Sequence, residues 1–270
     1  MEYHVIHAFT DTLFSGNPAG VCLPEGWPSD AAMQKIAAEN NLSETAFVVK
    51  RGKGRYGLRW FTPTVEVDLC GHATLSAAYV LFDGREKDAH ELIFHTASGA
   101  LTVTKNGGLL CLHFPTKAVE ECPAYPSIGK ALGVTPLAVY TAGDFMVLVE
   151  TEEILRALRP DFSRFDAIRE EAGRENNLFG VIVTAPGTDC DFVSRYFAPG
   201  EGIPEDPVTG SAHCLLAPFW GKRLGKETMK ARQVSPRGGL LHCEVCETQV
   251  KISGHAIRYL RGEIISAPCP

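Results

Sequence analysis

The stretch "DLCGHATLSAAYVLF", residues 68–82, decides how this chain is read. A cysteine, a glycine and a histidine stand directly before a run of small and apolar residues with helical character. Apolar residues cover much of the helix circumference, which suits a helix wrapped by sheet on all sides. A helix N-terminus presents unpaired amide donors and a partial positive charge, so the thiol and imidazole of Cys70 and His72 sit at an anion-attracting mouth.

Working outward, strand-like and helix-like segments alternate. "YHVIHAF" and "AGVCLP" predict strands, with the turn-rich "TDTLFSGNP" between them. "SDAAMQKIAAEN" predicts a helix with Ser29 as N-cap. "TAFVVK" and "YGLRWFT" return to strand, and after the opening helix "ELIFHTASGALTVTKNGGLLCLHFP" gives a strand series turning at "KNGG". Residues 115–126 are rich in Pro, Glu and Lys and mark a boundary. The second half repeats the order: strands in "PLAVYTAGDFMVLVE", a helix in "TEEILRALRPDFSRFDAI", strands in "NLFGVIVTAP" and "CDFVSRYFAP", then "TGSAHCLLAPFW" as the counterpart of the opening helix. The expectation is an α/β (α+β) chain of two similar lobes. The first covers residues 1–116 and the second 117–256, with residues 257–270 free to return to the first.

The bulk numbers bound the function. The chain has 270 residues, 45% hydrophobic and 21% charged, enough to bury a real core. A formal charge of −6 argues against nucleic-acid or anionic-membrane surfaces, which need basic patches. No apolar run approaches the roughly 20 residues that span a bilayer. The start "MEYHVIHAFT" has no basic region followed by an apolar one, so a cytoplasmic protein without signal peptide is expected. Nine cysteines are scattered along the chain and read mainly as small buried hydrophobes. Cys243 and Cys246 resemble a metal or redox pair, but positions three apart on a strand face opposite sides and no second pair completes a zinc site. No metal and no cofactor are expected.

Small residues at a helix mouth let a ligand approach the backbone. Gly71 and Ala73 supply this at the first mouth, and Gly210, Ser211 and Ala212 at the second, so the two together could cradle a small carboxylate. Plain capping by Thr209 or Ser211 is the bland alternative. The titratable groups beside them are Cys70 and His72, then Glu205 and Asp206. Glu44, in "NNLSETAFVV", stands at the head of an apolar strand, where a carboxyl tends toward a raised pKa and proton-shuttling chemistry.

Four blocks in order, "SGNPAGVC", "NLSETAFV", "FTPTVEVDLCGHATL" and "EDPVTGSAH", resemble the phenazine-biosynthesis PhzF-like family, which shares its fold with diaminopimelate epimerase and proline racemase. The resemblance implies two lobes, each a rolled, mostly antiparallel sheet around a central helix, with the active site between them. It also implies a cofactor-independent, homodimeric isomerase acting on a small carboxylate. Carried over by motif, Glu44 resembles the family's proton-shuttling acid/base, and His72, Asp206 and Ser211 resemble its polar partners. Asn17 resembles the residue an early loop brings to substrate, although Gly16-Asn17-Pro18 reads equally well as a tight turn. In the phenazine enzymes this set moves a proton along the ring of dihydro-hydroxyanthranilate.

The racemases of this fold use one cysteine at each mouth. Here the second mouth reads "EDPVTGS", with no thiol, and Cys214 lies deeper in the helix. A single shuttle returning the proton to the same face gives isomerisation, and Cys70 is then set aside as a packing residue. Near the C-terminus "RQVSPRGGLLHCEV" departs from the Gln-Gly…Gly-Arg-Pro-Ser stretch of the phenazine enzymes, pointing to the broader branch of the family. Two alternatives stay open: a racemase or epimerase pairing Cys70 with Asp206, and a non-catalytic ligand-binding protein.

Overall fold

A computed structural model describes residues 1–173 and 180–265. Positions 177–179, expected to open the strand "NLFGVIVTAP", and 266–270 of the C-terminal segment lie outside the described residues. The chain forms two compact units. The first is Met1–Phe114 with the chain from Lys251 on, and the second is Pro115–Val250.

The first unit begins with strands Glu2–Ala8 and Asn17–Leu23, paired antiparallel from Glu2↔Leu23 to Ala8↔Asn17. The link between them turns at Gly16, whose φ of 70° is left-handed and where a Cβ would fall 2.3 Å from the Ala8 carbonyl oxygen. Helix α1, Asp30–Asn40, then crosses over. Ser29 caps it by accepting from Ala32 N–H at 3.3 Å, and Asn41 ends it in the left-handed region. Strand Glu44–Gly52 follows, parallel to Asn17–Leu23 with Ala19↔Glu44 in register, and then antiparallel Arg55–Phe61. Helix α2, Gly71–Asp83, is the second crossover, leading to Glu91–Thr96 parallel to Arg55–Phe61. Antiparallel Gly99–Asn106 and Leu109–Pro115 complete the series. The late strand Ala256–Glu263 returns to pair with Glu2–Ala8. Every residue of α2 is buried except Tyr79 and Asp83, and the helix packs on Glu2–Ala8, Asn17–Leu23, Glu44–Gly52 and Ala256–Glu263.

The second unit repeats this wiring. Ala138–Ala142 and Asp144–Leu148 form an antiparallel pair. A helical crossover leads to Val181–Pro186, parallel to Asp144–Leu148, then to antiparallel Phe192–Ala198. Helix α6, His213–Leu224, leads to Thr228–Gln233, parallel to Phe192–Ala198, and on to antiparallel Gly239–Val245. In both units the parallel pairs are those bridged by helices, as chain geometry requires.

Two expectations are corrected here. The first crossover of the second unit is not one helix: α4, Glu152–Ala157, stops before Arg159-Pro160, and α5, Phe165–Glu171, starts anew after a 3-10 turn, Phe162–Arg164. Proline lacks an amide donor and disfavours helix in the residue before it. Where the boundary segment 115–126 ends, helix α3, Pro126–Leu132, buries Ile128, Ala131 and Leu132 in the core with Val147, Leu155 and Ile168. Finally, α6 is not wrapped on all sides. His213–Ala217 and Trp220 are buried, while Lys222 and Arg223 reach solvent.

Candidate active site

At the mouth of α2 the strand register and the helix bring three side chains together. Glu44 opens its strand beside Ala19, and Cys70 is the N-cap residue of α2, whose first turn has no side-chain cap. His72 Nε2 lies 3.1 Å from Glu44 Oε2, with side-chain exposures of 6% and 12%. The two groups face each other as an ion pair, and among the described residues neither atom has a well-aligned hydrogen-bond partner. On the other side of the ring, His72 Nδ1 lies 3.5 Å from Cys70 Sγ. Cys70, set aside by sequence as a packing residue, is thus in contact with the imidazole.

The electrostatics follow from this geometry. Burial opposes the imidazolium form, but Cys70 and Glu44 outweigh it and hold His72 well above the ordinary histidine range. Burial, reinforced by the Glu44 charge, pushes the Cys70 thiol up to about 11, against the opposite pull of His72. Both shifts favour the proton-bearing form, imidazolium on His72 and thiol on Cys70, and with the thiol neutral it is the Glu44 charge that holds the imidazolium.

Gly71 and Ala73 form the buried first turn of α2. Asn17 is fully buried two residues before Ala19, the register partner of Glu44. Gly16 supplies the turn, and Asn17 and Pro18 already belong to the strand.

The second mouth is built differently from its expected form. Gly210, Ser211 and Ala212 form a turn leading into α6, and the helix starts only at His213. Neither Thr209 nor Ser211 caps it with a side chain. Thr209 instead donates its hydroxyl in a very short hydrogen bond to the Asp206 carboxylate, and its amide donates to Gln233 Oε1 at 2.8 Å. Gln233 Nε2 donates to the Asp206 carbonyl at 2.6 Å, and Ser235 Oγ donates to the same carbonyl at 3.2 Å. Asp206 is held, 7% exposed, by this frame. Ser211 is half-buried, and its carbonyl accepts from Cys214 N–H at 3.1 Å.

Glu205 has another task. It takes both guanidinium arms of Arg195 at 2.8 Å each, while Arg195 also donates to the Leu155 and Leu158 carbonyls. Cys214 is buried in the first turn of α6, and burial pushes its thiol up to about 12, so no thiolate serves this mouth.

Sequence reasoning missed Gln233, Ser235 and His213. His213 is fully buried, its Nδ1 2.8 Å from the Thr209 carbonyl. Burial pushes it down to about 4, so it is neutral. The available signal was the stretch "RQVSPRGG", in which Gln233 ends a strand and Ser235 lies just beyond it.

In fold, the chain is similar to a hydroxyproline epimerase of Agrobacterium vitis, with a TM-score of 0.65 over 97% of this chain and 91% of that one, at 10% identity. The likeness defines the diaminopimelate epimerase-like fold. Within it, the model of the phenazine biosynthesis-like (PhzC-PhzF) family matches residues 6–262, and the chain belongs to that family. A PhzF-family structure from Enterococcus faecalis matches with a TM-score of 0.92 at 47% identity, over 98% of this chain and 99% of that one. A Pseudomonas aeruginosa protein named as an uncharacterized isomerase is 48% identical over 98% of both chains.

Proposed function

We propose that this protein is an isomerase that moves a proton between carbons of a small unsaturated or carbonyl-bearing carboxylic acid, without a cofactor. The observation carrying this reading is the buried contact of Glu44 with His72 at the uncapped mouth of α2. Beyond this contact, Glu44 Oε2 and His72 Nε2 have no well-aligned hydrogen-bond partner among the described residues. Buried polar atoms in that state call for a polar ligand.

In the proposed reaction Glu44 takes a proton from one carbon, and the electron pair moves into the adjacent unsaturated system. The same carboxyl group, now protonated, delivers that proton to another carbon on the same face, so atoms and charge balance. His72, favoured as imidazolium, offsets the negative charge that develops on the substrate. The first-turn amides of α2 attract the substrate carboxylate. Asn17 bears on substrate position, and Asp206, framed by Thr209 and Gln233, is a further polar group carried by the family motif. Cys70 is a neutral thiol at working pH, which favours isomerisation by Glu44 over racemisation through a thiolate.

The test is proton exchange followed by NMR in deuterated water, offering dihydro-hydroxyanthranilate and a panel of amino acids. Glu44→Gln is expected to lower isomer formation by roughly 10²–10⁴-fold, the usual worth of a general acid/base, with the fold intact. Normal turnover by this variant would refute the mechanism. Deuterium entering an amino-acid α-carbon, lost on Cys70 alkylation, would favour the racemase.

A further inference from the structure

The polar atoms at the mouth of α2 have a second use. One donor atom from each of Glu44, Cys70 and His72 lies within 4.8 Å of the other two. The separation of 3.1 Å between His72 Nε2 and Glu44 Oε2 is close to the roughly 3.4 Å between nitrogen and oxygen across a tetrahedral zinc with bonds of about 2.1 and 2.0 Å. Independently, His72 is 94% buried by side chain and its Nε2 has no aligned partner, as does Glu44 Oε2. That condition marks a place where something polar belongs.

Thiolate, imidazole and carboxylate are the donors zinc takes in sites that keep one position open. Their charges also close: a divalent cation against one thiolate and one carboxylate leaves a neutral site, the form a buried cluster tolerates. We propose that Cys70, His72 and Glu44 form a three-ligand site for zinc or a similar thiophilic divalent cation, with a fourth position open to water or a carboxylate. On binding, the Cys70 thiol proton and the extra proton of His72 leave to solvent, and no electrons are transferred. The cysteine pair that sequence offered for a metal, Cys243 and Cys246, is not involved. A cation so placed occupies Glu44 and blocks the proton shuttle. That consequence rests on the function proposed above, whereas the binding does not.

The experiment titrates the intact chain with Co²⁺, whose thiolate charge-transfer absorption reports sulfur ligation and whose visible bands report tetrahedral geometry, and then displaces it with Zn²⁺. One Co²⁺ per chain is expected, with the charge-transfer band absent in Cys70→Ser and unchanged in Cys246→Ser. Zn²⁺ affinity is expected to fall at least roughly tenfold in His72→Gln and Glu44→Gln. Absence of the band in the wild type, or its survival in Cys70→Ser, overturns the proposal. Should Cys70→Ser fail to fold, X-ray absorption of the zinc-loaded wild type decides: one sulfur with nitrogen and oxygen neighbours supports the site, and a shell without sulfur overturns it. In the exchange assay Zn²⁺ is expected to stop Glu44-dependent turnover and a chelator to restore it. Binding that Glu44→Gln weakens, with turnover unaffected by Zn²⁺, would keep the metal site and refute Glu44 as the shuttle.

Discussion

Among the buried histidines, His213 and His72 are driven in opposite directions by their surroundings. His213 has only the Thr209 carbonyl to set against burial, and it stands in the first turn of α6, where a positive charge is disfavoured. Its folded pKa of about 4 lies below the ordinary value near 6.5, so between those limits the unfolded chain binds more protons than the folded one. The stability it confers is present above about pH 6.5 and is lost as pH falls toward 4, to the extent of a few kcal/mol. Acid unfolding of His213→Gln, followed by circular dichroism, is expected to be shallower through that window than in the wild type. His72 has the opposite sign. Its raised pKa confers stability below the unfolded value and loses it as pH rises through the folded one. His72→Gln should therefore flatten the alkaline side of the stability profile, read by thermal melts across pH. The identity of His72 and Glu44 as candidates was legible in "CGHAT" and "LSETAFV". That Cys70 touches the ring, and that Glu205 is consumed by Arg195, were not, because both depend on which strands become neighbours.

At the scale of elements, α2 carries the first unit. Leu75 is fully buried on a helix with sheet around it, and the surroundings cannot collapse into a lost side chain. Leu75→Ala is expected to cost about 2–5 kcal/mol in chemical denaturation. The turn before Asn17 is equally constrained: Gly16→Ala puts a methyl group 2.3 Å from a backbone oxygen at a φ of 70°. The expected outcome is a lower melting temperature together with weaker substrate binding, since Asn17 must shift. The periodicity and cap of α1 and the near-uniform apolarity of α2 were readable because each is a property of adjacent residues. The start of α6 was not. Gly210, Ser211 and Ala212 suit a helix and a turn equally well, and the hydrogen bonds of Thr209 to Asp206 and Gln233 decide for the turn.

Across the whole molecule, the weak internal repeat of the sequence corresponds to a repeat of wiring. Each unit has an antiparallel pair, a helical crossover to a parallel strand, and a second crossover through a long helix. The first unit is discontinuous, since Glu2–Ala8 is paired from Glu2↔Glu263 to Ala8↔Ala256 with a strand at the far end of the chain. Truncation after Gly254 is expected to remove the cooperative unfolding of the first unit and to leave Glu2–Ala8 open to protease, detectable by limited digestion with mass mapping.

The chain by itself determined the alternation of elements, the helix mouths and the four ordered family blocks, because periodicity, capping and motif spacing are written in neighbouring residues. Only the tertiary structure decided that Glu44, Cys70 and His72 form one cluster and that Gln233 and Ser235 frame Asp206. Most of those contacts join separate elements, and which strands become neighbours, a matter of the whole chain and not of adjacent residues, sets which side chains meet.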